Sequence, residues 1–363
     1  MISGKQPRCE RRSALLLALI AWIFLLSAGC AHLHSLPEPP ISRILFGSCI
    51  NTNSHPMLDR ILQLDFDFSI MLGDNIYADT TNMAVMKAKY DALEFSPFWK
   101  TLRQKAPTLA TWDDHDMGGN DAGGNYPMKD ESQKLFLEFM DEPPQSPRWK
   151  RPGVYDAYTF GPRGKRVQVI MLDTRYFRSK PATGENGVVP SGGKYIPHPD
   201  TNTTILGEAQ WRWFEEQLRQ PAEVRIIATS IQFISEFSGA EAWANFPHEK
   251  QRMLALLEKH KTEGVFFISG DRHWAELSRL DRPGRYSLYD LTSSSITQVH
   301  PRGTPTPNRY RALPQTYHQP NVGIIEIKWL RSGPMINLQL LDLTGAVQLE
   351  KAFLPFPKFS HGQ

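Results

Sequence analysis

Six stretches of this chain share one pattern: a short apolar, β-rich run that ends in acids, a thiol, an imidazole or an arginine. "RILFGSC" ends at Ser48 and Cys49, "FDFSIMLGDN" at Asp74 and Asn75, and "APTLATWDDHD" at Asp113, Asp114 and His115. "RVQVIMLDTR" ends at Asp173 and Arg175, "VRIIATSIQ" at Ser230 and Gln232, and "GVFFISGDRH" at Asp271 and His273. Such runs read as buried strands. Helix-like stretches at 55–65, 126–140, 207–220 and 248–260 separate several of them. Alternation of this kind argues an α/β fold with a largely parallel sheet core. In open α/β sheets, ligands bind beyond the carboxyl ends of the strands. Several polar strand ends at one sheet edge therefore predict an active site.

The last third of the chain is different. "YSLYDLTSSSITQ", "VGIIEIKWL", "MINLQLLDL" and "AVQLEKAFL" read as strands that extend a sheet or form a second one packed on the first. Residues 180–204 and 300–320 are rich in Pro, Gly, Asn and Ser and read as long loops at the site mouth.

The N-terminus stands apart. Arg8, Arg11 and Arg12 precede the apolar run "ALLLALIAWIFLLSAGC", which is short for a bilayer span and ends in small residues. Leu26-Ser27-Ala28-Gly29-Cys30 resembles the bacterial lipobox, cut before a cysteine that carries a lipid. The expected division is a signal peptide over 1–29, a tether over 30–42 and a single domain over 43–355. Export follows, with a lipid anchor at Cys30 on the periplasmic face of the outer membrane or on the cell surface. The chain holds 41 basic and 38 acidic residues; without Lys5, Arg8, Arg11, Arg12 and Glu10 it holds 37 of each. No basic stripe with interleaved aromatics is visible, so nucleic acid is not an expected partner. After cleavage only Cys30 and Cys49 remain. A lone thiol in an exported protein needs a reason.

Cys49, Asp74, Asp114, His115, Asp271 and His273 form a candidate metal cluster. Carboxylate, imidazole and thiolate are the available ligands, and two or more ions need about this many. One Asp between a strand and a helix is ordinarily a cap. Several at one edge repel each other unless a cation lies among them.

"LGDNIYAD", "TWDDHDMGGNDAG", "LDTRYFR" and "SGDRHW" resemble the alkaline phosphatase D (PhoD-like) branch of the calcineurin-like metallophosphoesterases, in order from about Arg43 to Trp274. The resemblance implies a four-layer αββα sandwich with two packed sheets. It places Cys49, Asp74, Tyr90, Asp114, Asp271 and His273 on the metals, with Tyr90 as a tyrosinate on iron because it precedes Trp112 by 22 residues. It implies Fe(III) plus one or two divalent cations, calcium foremost, with zinc or manganese as alternatives. His115 would be the acid at the leaving group. Arg175 would grip phosphate, with Asp173 orienting it or ligating a metal. Asn120 and Arg272 are candidate substrate contacts. Ile50 stands where the branch often has Gln, and "TSIQF" lacks the histidine usual after the superfamily's middle strand.

The expected activity is phosphate-ester hydrolysis by a metal-bound hydroxide on a small phosphate ester, with phospholipid head groups as one candidate. The alternative is a non-catalytic metal- or phosphate-binding lipoprotein of the same fold. A covalent Cys49 nucleophile is disfavoured, because acidic neighbours raise a thiol's pKa.

Overall fold

Short runs that are apolar at nearly every position build the centre of the molecule. The computed structural model describes Met1 and residues 39–184, 193–300 and 306–356. The expected leader and Cys30 fall outside these residues. Among the described residues, no helix is long and apolar enough to cross a membrane.

In chain order the strands are β1 (Arg43–Gly47), β2 (Phe68–Leu72), β3 (Thr108–Thr111), β4 (Asp156–Phe160), β5 (Val167–Met171), β6 (Ala182–Thr183) and β7 (Tyr195–Ile196). They continue as β8 (Val224–Ala228), β9 (Val265–Ser269), β10 (Ala275–Leu280), β11 (Leu288–Ser293), β12 (Asn321–Leu330), β13 (Gly333–Asp342) and β14 (Val347–Phe353). One sheet runs β14-β13-β12-β1-β2-β3 and the other β10-β11-β9-β8-β5-β4. The six runs picked out by their polar ends are β1, β2 and β3 in the first sheet and β5, β8 and β9 in the second. Each trio pairs in parallel. Parallel strands covered on both faces need the continuous apolar character seen here, and β2, β5, β8 and β9 are buried along their whole length.

The two sheets pack face to face. Phe68 on β2 stacks on Phe160 of β4 with centroids 4.3 Å apart. The Thr111 hydroxyl at the end of β3 donates to the Leu172 carbonyl at 3.0 Å. Outside the first sheet, Leu45, Met71 and Ala110 pack under the helices Pro56–Gln63, Met83–Glu94, Pro97–Lys105 and Lys129–Phe139. Outside the second, Ile170, Ile227 and Phe267 pack under Gly207–Leu218 and Pro247–Lys259. This is the expected four-layer αββα sandwich. The C-terminal strands do both things foreseen for them: β12 to β14 extend the first sheet and β11 joins the second.

Candidate metal centre

The carboxyl ends of both parallel trios meet at one edge of the sandwich. Cys49 follows β1, Asp74 follows β2, Asp113 and Asp114 follow β3, and Asp271 and His273 follow β9. Cys49 (φ 67°), Asp74 (φ 51°), Asp271 (φ 69°) and His273 (φ 59°) all hold left-handed backbone. That conformation is costly for residues with a Cβ and concentrates at functional sites. Here all four lie in the turns that follow β1, β2 and β9.

The side chains form overlapping groups whose ligand atoms lie within 4.8 Å of one another: Cys49, Asp74 and His273; Asp74, Asp114 and His115; Asp113, Asp114 and Asp271; and Asp114, Asp121 and Glu241. Cys49 is buried, and its thiol donates to Asp74 Oδ2 at 3.5 Å. The Tyr77 hydroxyl lies 3.2 Å from the same carboxylate oxygen and 3.1 Å from His273 Nε2. The predicted Cys49, Asp74, Asp114, His115, Asp271 and His273 are thus brought together.

Electrostatics shows what this edge lacks. Burial, then the neighbouring carboxylates Asp114 and Asp113, push Asp74 well above the usual carboxylate range. Burial, then Asp113 and Glu241, do the same to Asp271. Burial and then Asp74 raise the Cys49 thiol. His273 is pushed down to about 4, first by burial and then by His115. Asp114 goes the other way: burial raises it, but Arg175, His115 and the Asp121 amide together bring it below the ordinary value. Asp74 Oδ1, Asp113 Oδ2 and Asp114 Oδ1 are buried with no hydrogen-bond partner. Buried carboxylate oxygens without partners are expensive. A hard cation meets their need, and thiol, phenol, imidazole and carboxylates supply a mixed soft and hard donor set around it. The residues therefore fit one or more metal ions.

Three predicted site residues, Tyr90, Arg175 and Asp173, sit elsewhere than expected. Tyr90 is not at the cluster. It lies on the helix Met83–Glu94, stacks on Phe139 at 4.8 Å and points its hydroxyl at the Asp116 carbonyl, 3.4 Å away. Helical periodicity turns it into the core under the first sheet, and Tyr77, three residues after Asp74, takes the place at the cluster.

Arg175 is fully buried and not open to a substrate. Its Nε pairs with Asp113, its Nη1 lies 2.5 Å from Glu241 Oε2, and its Nη2 lies 3.6 Å from Asp114 and 3.7 Å from Asp271. It neutralises acids from beneath. Asp173 neither orients the Arg175 guanidinium nor joins the cluster. Its Oδ1 accepts the Arg175 and Tyr176 amides at 2.9 Å each, and its Oδ2 accepts the Val154 amide at 2.8 Å, so it fixes the turn after β5. Asn120 is exposed at the rim, lining with Asp79 and Thr80 a shallow depression of about 660 Å³.

Glu241 and Asp116 contribute without a sequence signal strong enough to find them. Glu241 receives both Arg175 and Arg178 from a loop far along the chain. The Ser230 hydroxyl donates to Asp113. Asp116 accepts the amides of Asp113, Asn75 and Ile76, tying the ends of β2 and β3 together, and burial raises its pKa to about 7. His115 places Nδ1 2.7 Å from Asp79 Oδ1, with its ring 4.3 Å from that of Tyr77.

A family model described as PhoD-like phosphatase matches residues 44–328, a span that holds every cluster residue. Alkaline phosphatase D of Bacillus subtilis (strain 168) is 24% identical over 220 residues, covering 54% of this chain but only 35% of that relative's length. A solved structure of PhoD superposes with a TM-score of 0.64 at 17% identity, covering 88% of this chain and 73% of that one. GAP50, the anchor in the inner membrane complex of Plasmodium, superposes with a TM-score of 0.56 at 14% identity, covering 88% of this chain and 90% of its own. These two likenesses concern the fold.

Proposed function

The chain belongs to the PhoD-like phosphatase family, and from that premise we propose that it is a metal-dependent phosphoric ester hydrolase. The observation that carries the reading is the convergence of Cys49, Asp74, Tyr77, Asp114, Asp271 and His273 at one sheet edge, with carboxylate oxygens left unpartnered. Cys49, Asp74, Tyr77 and His273 would hold one ion, and Asp74, Asp114 and Asp271 would share others. Bound there, the ions supply Lewis-acid stabilisation of the phosphoryl oxygens and a nucleophile from water at neutral pH.

The protein's own groups do the rest. His115 stands at the open side of the cluster with Nδ1 held by Asp79, which leaves Nε2 to carry a proton to the departing alkoxide. Arg175 keeps Asp113, Asp114 and Asp271 in place. A thiol and a phenol together favour Fe(III) at the first position, and the all-carboxylate groups favour calcium at the others. The Leu26–Cys30 segment supports a lipid-anchored, exported enzyme. Phospholipid head groups are then a substrate class within reach, and Cys30→Ala should move the protein from the membrane to the soluble fraction.

The direct test is hydrolysis of p-nitrophenyl phosphate and bis(p-nitrophenyl) phosphate by protein loaded with iron and calcium. Turnover lost on chelation and restored by metal is expected. Loaded, folded protein that cleaves neither ester would overturn the reading.

A further inference from the structure

Among the described site residues, Arg272 has a charge that the fold leaves unmatched. The carboxylates that act on it are those of Asp271, Glu276 and Glu241. Each is already engaged: Asp271 faces Arg175 at 3.7 Å, Glu276 binds Arg311 at 3.0 Å, and Glu241 takes Arg175 and Arg178. Arg272 Nε is buried with no hydrogen-bond partner. Its backbone N–H is spent on the Gly270 carbonyl at 2.9 Å.

The guanidinium is nevertheless held in one place. Left-handed backbone at Asp271 and His273 brackets the residue. The guanidinium carbon lies 4.7 Å from the centre of the Trp274 ring and 5.8 Å from that of Phe237. Trp274 is in turn fixed by edge contacts to His318 at 5.2 Å and His300 at 5.8 Å. Aromatic faces bind the flat of a guanidinium and leave its N–H edges available. A fork arranged like this suits two oxygens on one atom.

We propose that Arg272 is a specificity-determining residue that takes two terminal oxygens of one phosphoryl group and so favours phosphate monoesters over diesters. The inference rests on the phosphatase reading above. A monoester has three terminal oxygens: two serve the fork and one remains for the cluster. A diester has two in all, so the fork and the cluster compete for them. Arg175 has no part in this, since it is fully enclosed and pairs with Asp113 and Glu241.

The test uses metal-loaded wild type, R272M and R272K. Calorimetry measures inorganic phosphate binding, and kcat/KM is compared for p-nitrophenyl phosphate and its bis ester. R272M should bind phosphate at least about 10-fold more weakly and lose about 10- to 100-fold in kcat/KM on the monoester, but under about 3-fold on the diester, as expected for one charge-assisted fork. R272K, which keeps charge and loses the fork, should recover part of the phosphate affinity. Should R272M not fold, R272K must still bind phosphate more weakly than wild type. Unchanged phosphate affinity, or equal losses on both esters, overturns the proposal. Wild type that cleaves neither ester overturns the phosphatase reading instead, and the calorimetry still decides whether Arg272 holds phosphate.

Discussion

His115 Nδ1 and Asp79 Oδ1 lie 2.7 Å apart, and this pair decides which way the imidazole faces. Asp79 reaches it from left-handed backbone (φ 45°) five residues after Asp74, while the Ala78 amide donates to the His115 carbonyl at 3.2 Å. These two hydrogen bonds join the loop after β2 to the turn after β3, beside those that Asp116 accepts from Asn75 and Ile76. A carboxylate that accepts Nδ1–H fixes the tautomer with Nε2 free to exchange a proton.

Asp79→Asn should therefore reveal itself through the leaving group. General acid catalysis contributes about 10²- to 10⁴-fold where the leaving group needs a proton. On an alkyl phosphate, kcat should fall by at least about 10-fold. On p-nitrophenyl phosphate, whose leaving group departs unaided, the loss should stay under about 3-fold. Equal losses on both would show that Asp79 merely supports the loop.

Tyr77 and Tyr90 should separate cleanly. Tyr77→Phe removes a hydroxyl 3.1 Å from His273 Nε2, and should abolish any iron charge-transfer band in the visible spectrum of loaded protein. Tyr90→Phe removes a hydroxyl with contacts no closer than 3.4 Å, and should leave the spectrum intact while costing at most about 1 kcal/mol of stability. A band lost in Tyr90→Phe and kept in Tyr77→Phe would reverse the assignment.

Arg175→Met should be strongly destabilising. It strips a cation from buried Asp113 and one of the two cations that hold Glu241, and breaking a buried pair costs about 3–5 kcal/mol. Denaturant unfolding measures this. A loss below about 1 kcal/mol would mean that the acids relax to new partners.

Lys250 gives a pH signature far from the cluster. Its ammonium donates to the Ile234 carbonyl at 2.7 Å and is largely enclosed near Phe233 and Tyr310. Burial, only partly offset by Asp290, lowers its pKa from 10.5 to about 8. Between those values the unfolded chain holds the extra proton, so stability should rise as pH goes from about 8 toward about 10.5. Lys250→Met should flatten that rise, read as unfolding midpoints in urea across the window. An identical slope in the variant would exclude Lys250 as its source.

The sequence exposed the strands and their ends because burial on both faces demands unbroken apolar runs, and polar residues can follow only where the chain leaves the sheet. Cys49, Asp74, Asp114, Asp271 and His273 were readable for that reason. Distance along the chain from Trp112 points to Tyr90, but its helix turns it inward among Phe136 and Phe139. Tyr77 carried a closer signal, three residues beyond Asp74 in the same loop. Arg175 could face either substrate or core from a strand end. What decides is Glu241, contributed by a loop 66 residues later with no periodic pattern to announce it. Arg272 was legible as a charge beside two ligands, but its aromatic cradle needed Phe237, brought in by tertiary packing alone.

The metal centre is tested most directly by elemental analysis of purified, never-chelated protein, with a visible spectrum of the same sample and Asp74→Asn in parallel. At least one tightly held metal per chain is expected, iron among them, with a charge-transfer band, and Asp74→Asn should lose most of both. Folded wild type that contains no metal and takes up none when iron, calcium, zinc or manganese is added would contradict this.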